Sequence, residues 1–69
     1  MKQTRIERLR LAAHISRRDL ARAAHINERT VYAMEQRQTT RAHDSVKFGF
    51  STALGKPVAY LFDAAGGPR

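Results

Sequence analysis

The chain has 69 residues, no cysteine and a formal charge of +7 at pH 7, with a sequence pI of about 11.2. A chain of this length forms one domain at most and buries only about 60% of its unfolded surface, so self-association would stabilise it. The absence of cysteine excludes a disulfide framework and a thiolate zinc site, which leaves a compact helical core as the source of stability.

The first two predicted elements are amphipathic helices. Apolar residues from Ile6 onward recur at spacings of three and four residues, which predicts a helix over 2–13. Ser16 begins the stretch "SRRD", which resembles a capping box with aspartate in place of the usual glutamate. It predicts the start of a helix over 17–24. This second helix is short because it ends at His25.

Three more helices are predicted along the rest of the chain. Asn27 is a good N-cap for a third helix over 28–36, and "RQTTRAH" then reads as a loop. A fourth helix is predicted over 44–54, because Gly55 suits its left-handed C-terminal position and the next proline prevents continuation. That proline also predicts the first turn of a short fifth helix over 57–63.

The predicted fold class is all-α, a compact bundle of about five short helices that contains a helix-turn-helix. No segment alternates with a period of two, and no internal repeat is present. We expect residues 1–63 to form the domain and residues 64–69, "AAGGPR", to form a flexible, frayed tail.

The turn between the second and third predicted helices, "HIN", points toward DNA binding. Two helices of about eight residues joined by such a turn allow the first to cross a DNA backbone while the second enters the major groove. The turn often needs a positive φ at the position of His25, where glycine would be usual; histidine is among the residues that tolerate it.

The stretch "LRLAAHISRRDLARAAHINERTVYAMEQRQ" resembles the helix-turn-helix of the lambda-repressor-like family, of the Cro/repressor or Xre type. The resemblance runs from about Ile6 to Phe62. Its markers are Leu9, Arg10, Ser16, Leu20, Ala21, Ile26, Thr30, Val31 and Glu35. The later stretch "ALGKPVAYLF" is also similar to the family's transition from helix four to helix five.

The resemblance implies double-stranded DNA as the partner and assigns contact positions. These are Arg17, Arg18, Asn27, Glu28, Arg29, Tyr32, Ala33, Arg37, Thr39, Thr40 and Arg41. Arg17 would contact phosphate and Arg29 would pair with guanine, whereas Ala33 would touch a thymine methyl group. The alternatives are that Arg17 and Arg18 are ordinary solvated residues and that Tyr32 packs against the protein.

Glu28 is an acid within a basic segment and has two compatible explanations. As the first residue after the Asn27 cap it lies at the positive end of a helix dipole, worth about 0.3–1 kcal/mol. It would also face the groove, where a glutamate accepts a hydrogen bond from cytosine N4. The resemblance further implies a structural ion pair between Arg10 and Glu35, linking the first helix to the end of the third.

Phe48 lies away from the apolar face of the fourth predicted helix. Either it packs against the preceding loop or it is an exposed aromatic used for dimerisation or for a protein partner, together with Val58 and Phe62.

Several function classes are disfavoured by the sequence. The three histidines are too scattered for a metal site, no cofactor motif is present, and no motif supports catalysis, so we expect no enzyme. The opening "MKQTRIERLR" is not a secretory signal, and "VAYLF" is far shorter than the roughly 20 residues that span a bilayer. We therefore expect a cytoplasmic protein, encoded by a bacterium or phage, that does not bind membranes.

The leading hypothesis is a small Cro-like repressor that binds a two-fold symmetric operator as a weak dimer completed on DNA. The runner-up is an antitoxin or mobile-element adaptor whose helix-turn-helix mainly binds a protein. A third hypothesis, non-specific nucleic-acid packaging, rests on the charge distribution. Residues 1–41 carry ten basic and four acidic side chains, whereas residues 42–69 carry three and two.

Overall fold

The computed structural model describes residues 3–39 and 41–69, within which the chain forms five α-helices and no strand. The helices are α1 (Arg5–Ala12), α2 (Arg17–Ala24), α3 (Glu28–Glu35), α4 (Asp44–Leu54) and α5 (Val58–Leu61). The predicted all-α fold is confirmed. The bounds of α2 and α4 agree with the prediction at both ends. Ser16 caps the start of α2, and the left-handed Gly55 followed by Pro57 ends α4.

The other three helices are shorter than predicted. α1 begins at Arg5 because Thr4 is its N-cap, where the Oγ1 atom accepts a hydrogen bond from the N–H of Glu7 at 3.0 Å. α5 has only four residues, since Pro57 caps it with extended backbone at ψ 152° and Phe62 is extended at its other end. Proline therefore precedes the first turn of α5 instead of lying inside it.

One hydrophobic core joins all five helices. Its buried members are Ile6, Leu20, Ala21, Val31, Met34, Ala42, Phe50, Leu61 and Phe62. The rings of Phe50 and Phe62 meet in a tilted arrangement with centroids 6.1 Å apart, a geometry that aromatic pairs favour. Because the core draws side chains from every helix, it fixes the position of α2 and α3 relative to the rest.

Helices α2 and α4 approach closely at Gly49. A Cβ atom at this position would lie 2.4 Å from the backbone oxygen of Ala24, which is far inside normal contact distance. Glycine is therefore required for the two helices to pack at this separation. The neighbouring residue Phe48 lies beside this contact and is 63% exposed.

Left-handed residues other than glycine follow each of the first three helices. His14, His25 and Arg37 have φ values of 59°, 59° and 58°. The positive φ that the sequence suggested for His25 is thus present, and Arg37 has the same left-handed conformation. A side chain in this region is disfavoured, so tertiary contacts must hold these turns.

The end of the chain differs from the predicted frayed tail. Residues 63–69, which we call the C-terminal turn, fold back so that Phe62 pairs with Pro68 in an antiparallel bridge. The N–H of Arg69 donates to the oxygen of Leu61 at 2.9 Å, and the N–H of Arg5 donates to the oxygen of Arg69 at 2.7 Å. Composition alone suggested fraying, but backbone hydrogen bonds to α1 and α5 fix this segment.

We predict that Asp63→Asn lowers the free energy of unfolding at about pH 6 and that the difference from the unchanged protein disappears as the pH falls. Hydrogen bonds from the backbone N–H groups of Gly67 and Ala65 hold the pKa of Asp63 below its ordinary value. The carboxylate therefore stabilises the fold above that ordinary value, and this contribution is lost as the pH falls through the lowered, folded-state value.

Asparagine imitates the protonated side chain, so the two proteins should converge in acid. Urea unfolding at about pH 6, 4 and 2 measures both curves. A gap that stays constant down to the lowest pH would contradict the assignment.

Candidate nucleic-acid interface

A buried carboxylate at the end of α3 connects three helices. Glu35 accepts hydrogen bonds from Arg10 at 2.6 and 3.3 Å and from the Nε of Arg17 at 2.8 Å, and its side chain is 0% exposed. Arg10 also donates to the backbone oxygen of Ile15 at 3.0 Å. The ion pair that the sequence predicted between Arg10 and Glu35 is present, and Arg17 joins it as a third member.

Arg17 bonds to the buried Glu35 and is also partly exposed at the surface. Its guanidinium carbon lies 5.1 Å from the centre of the Tyr32 ring, while 34% of its side chain remains exposed. The hydrogen bond with Glu35 raises the pKa of Arg17 above its ordinary value. No local sequence signal reveals this arrangement, because the two partners come from different helices.

The N-terminal ends of α2 and α3 border the same cleft. Ser16 accepts a hydrogen bond from the N–H of Asp19 at 3.0 Å, and Asn27 accepts one from the N–H of Thr30 at 2.8 Å, as the predicted N-caps require. The cleft measures about 600 Å³ and is lined by Arg10, Ser16, Arg17, Arg18, Asp19 and Glu28. A second cleft of about 290 Å³ is lined by Arg17, Glu28, Arg29 and Tyr32.

α3 has one buried and one exposed face. Val31 and Met34 are buried in the core. The predicted contact positions that are exposed are Asn27, Glu28, Arg29 and Tyr32, whereas Ala33 is half-buried. The helix is therefore anchored along one side and presents polar and aromatic side chains along the other.

Glu28 has a neighbour that the sequence did not indicate. The Nε atom of Arg18 lies 3.9 Å from its carboxylate, and both side chains are largely exposed. An exposed pair at this separation contributes little to stability, at most about 1 kcal/mol. Its consequence is electrostatic, because the carboxylate reduces the positive potential around Arg18 at the start of α2.

The loop between α3 and α4, residues 36–43, carries the remaining predicted contacts. Arg41 is exposed and Thr39 is half-buried, whereas Thr40 lies outside the described residues. Arg37 donates from its guanidinium to the oxygen of Pro68 at 2.8 Å. Although Arg37 was predicted to contact DNA, this bond commits part of its side chain to the C-terminal turn.

The predicted partner surface is only partly available. Phe62 is 2% exposed and belongs to the core, so it contributes no surface in this chain, contrary to the prediction. Val58 is half-buried against the core. Phe48 is exposed. It borders a groove of about 320 Å³ lined by Ala23, Ala24, His25, Ile26, Ser45, Phe48, Gly49 and Thr52.

Sequence reasoning missed the C-terminal turn, although a signal for it existed. Aspartate followed by small residues and "GG" is typical of a turn in which the carboxylate accepts from nearby backbone N–H groups. Asp63 does this with Ala65 and Gly67, at 3.0 and 2.9 Å.

Two kinds of feature are absent from the described part of the chain. No group of three or more histidine, cysteine, aspartate or glutamate residues is arranged there to hold a metal ion. None of the helices found there combines the length and the apolar character that crossing a membrane requires.

Comparisons with models of known protein families, with curated proteins and with solved structures gave no match for this chain.

We predict that Glu35→Ala lowers the free energy of unfolding by about 3–5 kcal/mol, because it leaves the buried Arg10 without its partner. Arg17→Met should cost clearly less, since that side chain is one-third exposed and Glu35 keeps Arg10. Urea unfolding followed by circular dichroism compares the two variants. Equal and small losses would show that the buried ion pair between α1 and α3 does not govern stability.

Proposed function

We propose that this chain is a sequence-specific DNA-binding regulator, most similar in action to a small Cro-like repressor of the lambda-repressor-like family. One observation carries the proposal. The N-terminal ends of α2 and α3 bring Arg17, Arg18 and Arg29 to adjoining clefts together with Glu28 and Tyr32. A group of cations interleaved with one acid and one aromatic ring suits a duplex, in which phosphates flank the base edges.

The positions of α2 and α3 suit them to different contacts with DNA. α2 begins at Arg17 and Arg18, which are suited to contact the phosphate backbone beside the groove. α3 presents its exposed face from its first turn, the part of a recognition helix that reaches base edges in the major groove. The buried face of α3 fixes the height and rotation of these side chains, so the contacts are organised before DNA arrives.

The charge distribution supports a phosphate-bearing partner. Residues 1–41, which contain both helices, carry ten basic and four acidic side chains. Each phosphate that a lysine or arginine neutralises releases counterions, which strengthens binding at low salt and makes it salt-dependent. Arg41 in the α3–α4 loop is exposed and would add a contact to the DNA backbone.

Base preference would come from a few side chains of α3. Arg29 is suited to bidentate pairing with guanine, and Glu28 accepts a hydrogen bond from cytosine N4, so a half-site containing G·C pairs is expected. Asn27 lies at the helix start, within reach of bases or flanking phosphates. Ala33 would touch a thymine methyl group. The Arg17 cation over the ring of Tyr32 restricts the orientation of that ring.

We further propose that two copies bind a two-fold symmetric operator. Half-sites would be about 34–36 Å apart, one helical turn of DNA. Weak self-association through α4 and α5, completed on DNA, would be sufficient. Repression would then follow from occupancy of the site that polymerase needs.

We predict that Arg29→Ala removes discrimination at one base position of the preferred duplex, at a cost of about 1–3 kcal/mol for that base pair. Arg8→Ala is the matched control, because it removes an exposed arginine from α1 and leaves α2 and α3 unchanged. Affinities for the preferred duplex and for single-base variants measure the effect. Uniform weakening by both substitutions would support non-specific packaging and contradict sequence reading.

A second candidate function rests on the exposed ring of Phe48. This side chain is 63% exposed beside a groove that holds no lysine, arginine, aspartate or glutamate among its described lining residues. An exposed aromatic next to an uncharged groove is typical of a protein-binding surface. The chain would then be an antitoxin or a mobile-element adaptor, in which the helix pair mainly supports binding of a protein.

For this alternative, Phe48→Ala should abolish binding of a protein partner co-purified from the host while duplex affinity is unchanged. Leu11→Ala is the matched control, since Leu11 is an exposed apolar residue on α1. Partner retention is measured by co-purification and DNA affinity by titration. A partner that both variants retain would contradict the assignment of this surface.

A further inference from the structure

The α3–α4 loop lacks the hydrogen-bond ladder of a helix, yet it carries Thr39 and Arg41, which are proposed to contact the DNA backbone. Its first part is tied to α3, since the N–H of Gln38 donates to the oxygen of Ala33 at 2.9 Å. Beyond that point the loop needs another support. A side chain of the loop contacts phosphate only when the loop backbone is held in the right place. The groups that hold this loop therefore affect how strongly it can bind DNA.

Two hydrogen bonds join the loop to the C-terminal turn. The guanidinium of Arg37 donates to the oxygen of Pro68 at 2.8 Å, and the N–H of Ala42 donates to the oxygen of Gly66 at 2.9 Å. Along the chain, they lie on either side of Gln38, Thr39 and Arg41. The segment proposed to touch the DNA backbone is therefore held at both ends by the same seven-residue turn.

The C-terminal turn is itself closely fixed. Asp63 accepts from the N–H groups of Ala65 and Gly67, and its own N–H donates to the oxygen of Gly67 at 2.8 Å. Gly66 is buried and has φ +93°, and a Cβ atom there would lie 3.4 Å from the nitrogen of Ala42. Glycine suits this position because a φ of +93° disfavours a side chain, and a Cβ atom here would make ordinary van der Waals contact with the loop.

We infer that the C-terminal turn is a positioning element of the DNA interface, and that Arg37 is a positioning residue instead of a phosphate ligand. The turn orders the α3–α4 loop before binding, so the loop loses less conformational freedom when it meets the DNA backbone. This inference rests on the proposed function and adds the residues that prepare one part of its contact surface.

Two glycine substitutions test the inference. Gly66→Ala strains the turn next to the loop without changing the charge. Gly55→Ala is the matched control, because Gly55 also has a positive φ of +69° but lies at the end of α4 with no atom near the added Cβ. Both substitutions impose strain on the backbone, and only the first touches the loop.

The measurement is affinity for a duplex preferred by the unchanged protein, at several salt concentrations and at a temperature where urea unfolding shows each variant folded. We expect Gly66→Ala to weaken binding roughly tenfold and to reduce the slope of log affinity against log salt by about 1, with the base preference unchanged. Gly55→Ala should keep both affinity and slope. Equal behaviour of the two variants, or a change of base preference in Gly66→Ala, would overturn the inference.

If Gly66→Ala fails to fold, Asp63→Ala replaces it, with Asp44→Ala as its charge-matched control. Each removes one exposed carboxylate, so charge alone predicts tighter DNA binding for both. If Asp63 helps to hold the loop in place, Asp63→Ala should bind DNA more weakly and Asp44→Ala should not. Tighter DNA binding by both variants would overturn the inference. If the unchanged protein prefers no duplex, the proposed function fails first; if only the variants behave alike, the proposed function stands without this addition.

Discussion

The buried carboxylate of Glu35 is the interaction on which the arrangement of the first three helices depends. A fully buried charge is costly unless it is paired and hydrogen bonded. Arg10 and Arg17 meet that need from α1 and α2, so the end of α3 is held against both helices. The same bonds fix the rotation of α3. Its exposed face and the start of α2 then lie along adjoining clefts, which is the feature that a duplex would recognise.

This arrangement divides the arginines by role. Arg10 is 7% exposed and serves the fold, whereas Arg17 is partly exposed and serves both the fold and the cleft. Arg18 and Arg29 are exposed and available to a partner. The high net charge therefore overstates the number of cations that are available to phosphates. Glu28 reduces the local potential further; in the proposed function this would limit indiscriminate binding and leave more of the binding energy to contacts with particular bases.

Local features could be predicted from the sequence, whereas long-range ones could not. The bounds of α2 and α4 follow from nearby caps, from apolar periodicity and from breakers. The third member of the Glu35 cluster and the anchor of Arg37 depend on partners 18 and 31 residues away. The tail was predicted to fray because it lies at the chain end, although Asp63 followed by small residues and two glycines is a local signal for the turn that it forms. Phe62 was proposed for a partner surface, since an apolar residue near the end of a short helix suits either a core or an interface.

The central claim is that the exposed face of α3 reads base edges at paired half-sites. Selection of bound duplexes from a random pool tests it most directly. The account predicts a two-fold symmetric consensus with half-site centres about one helical turn apart and G·C pairs within each half-site. A pool that shows no enrichment after repeated rounds would contradict the claim.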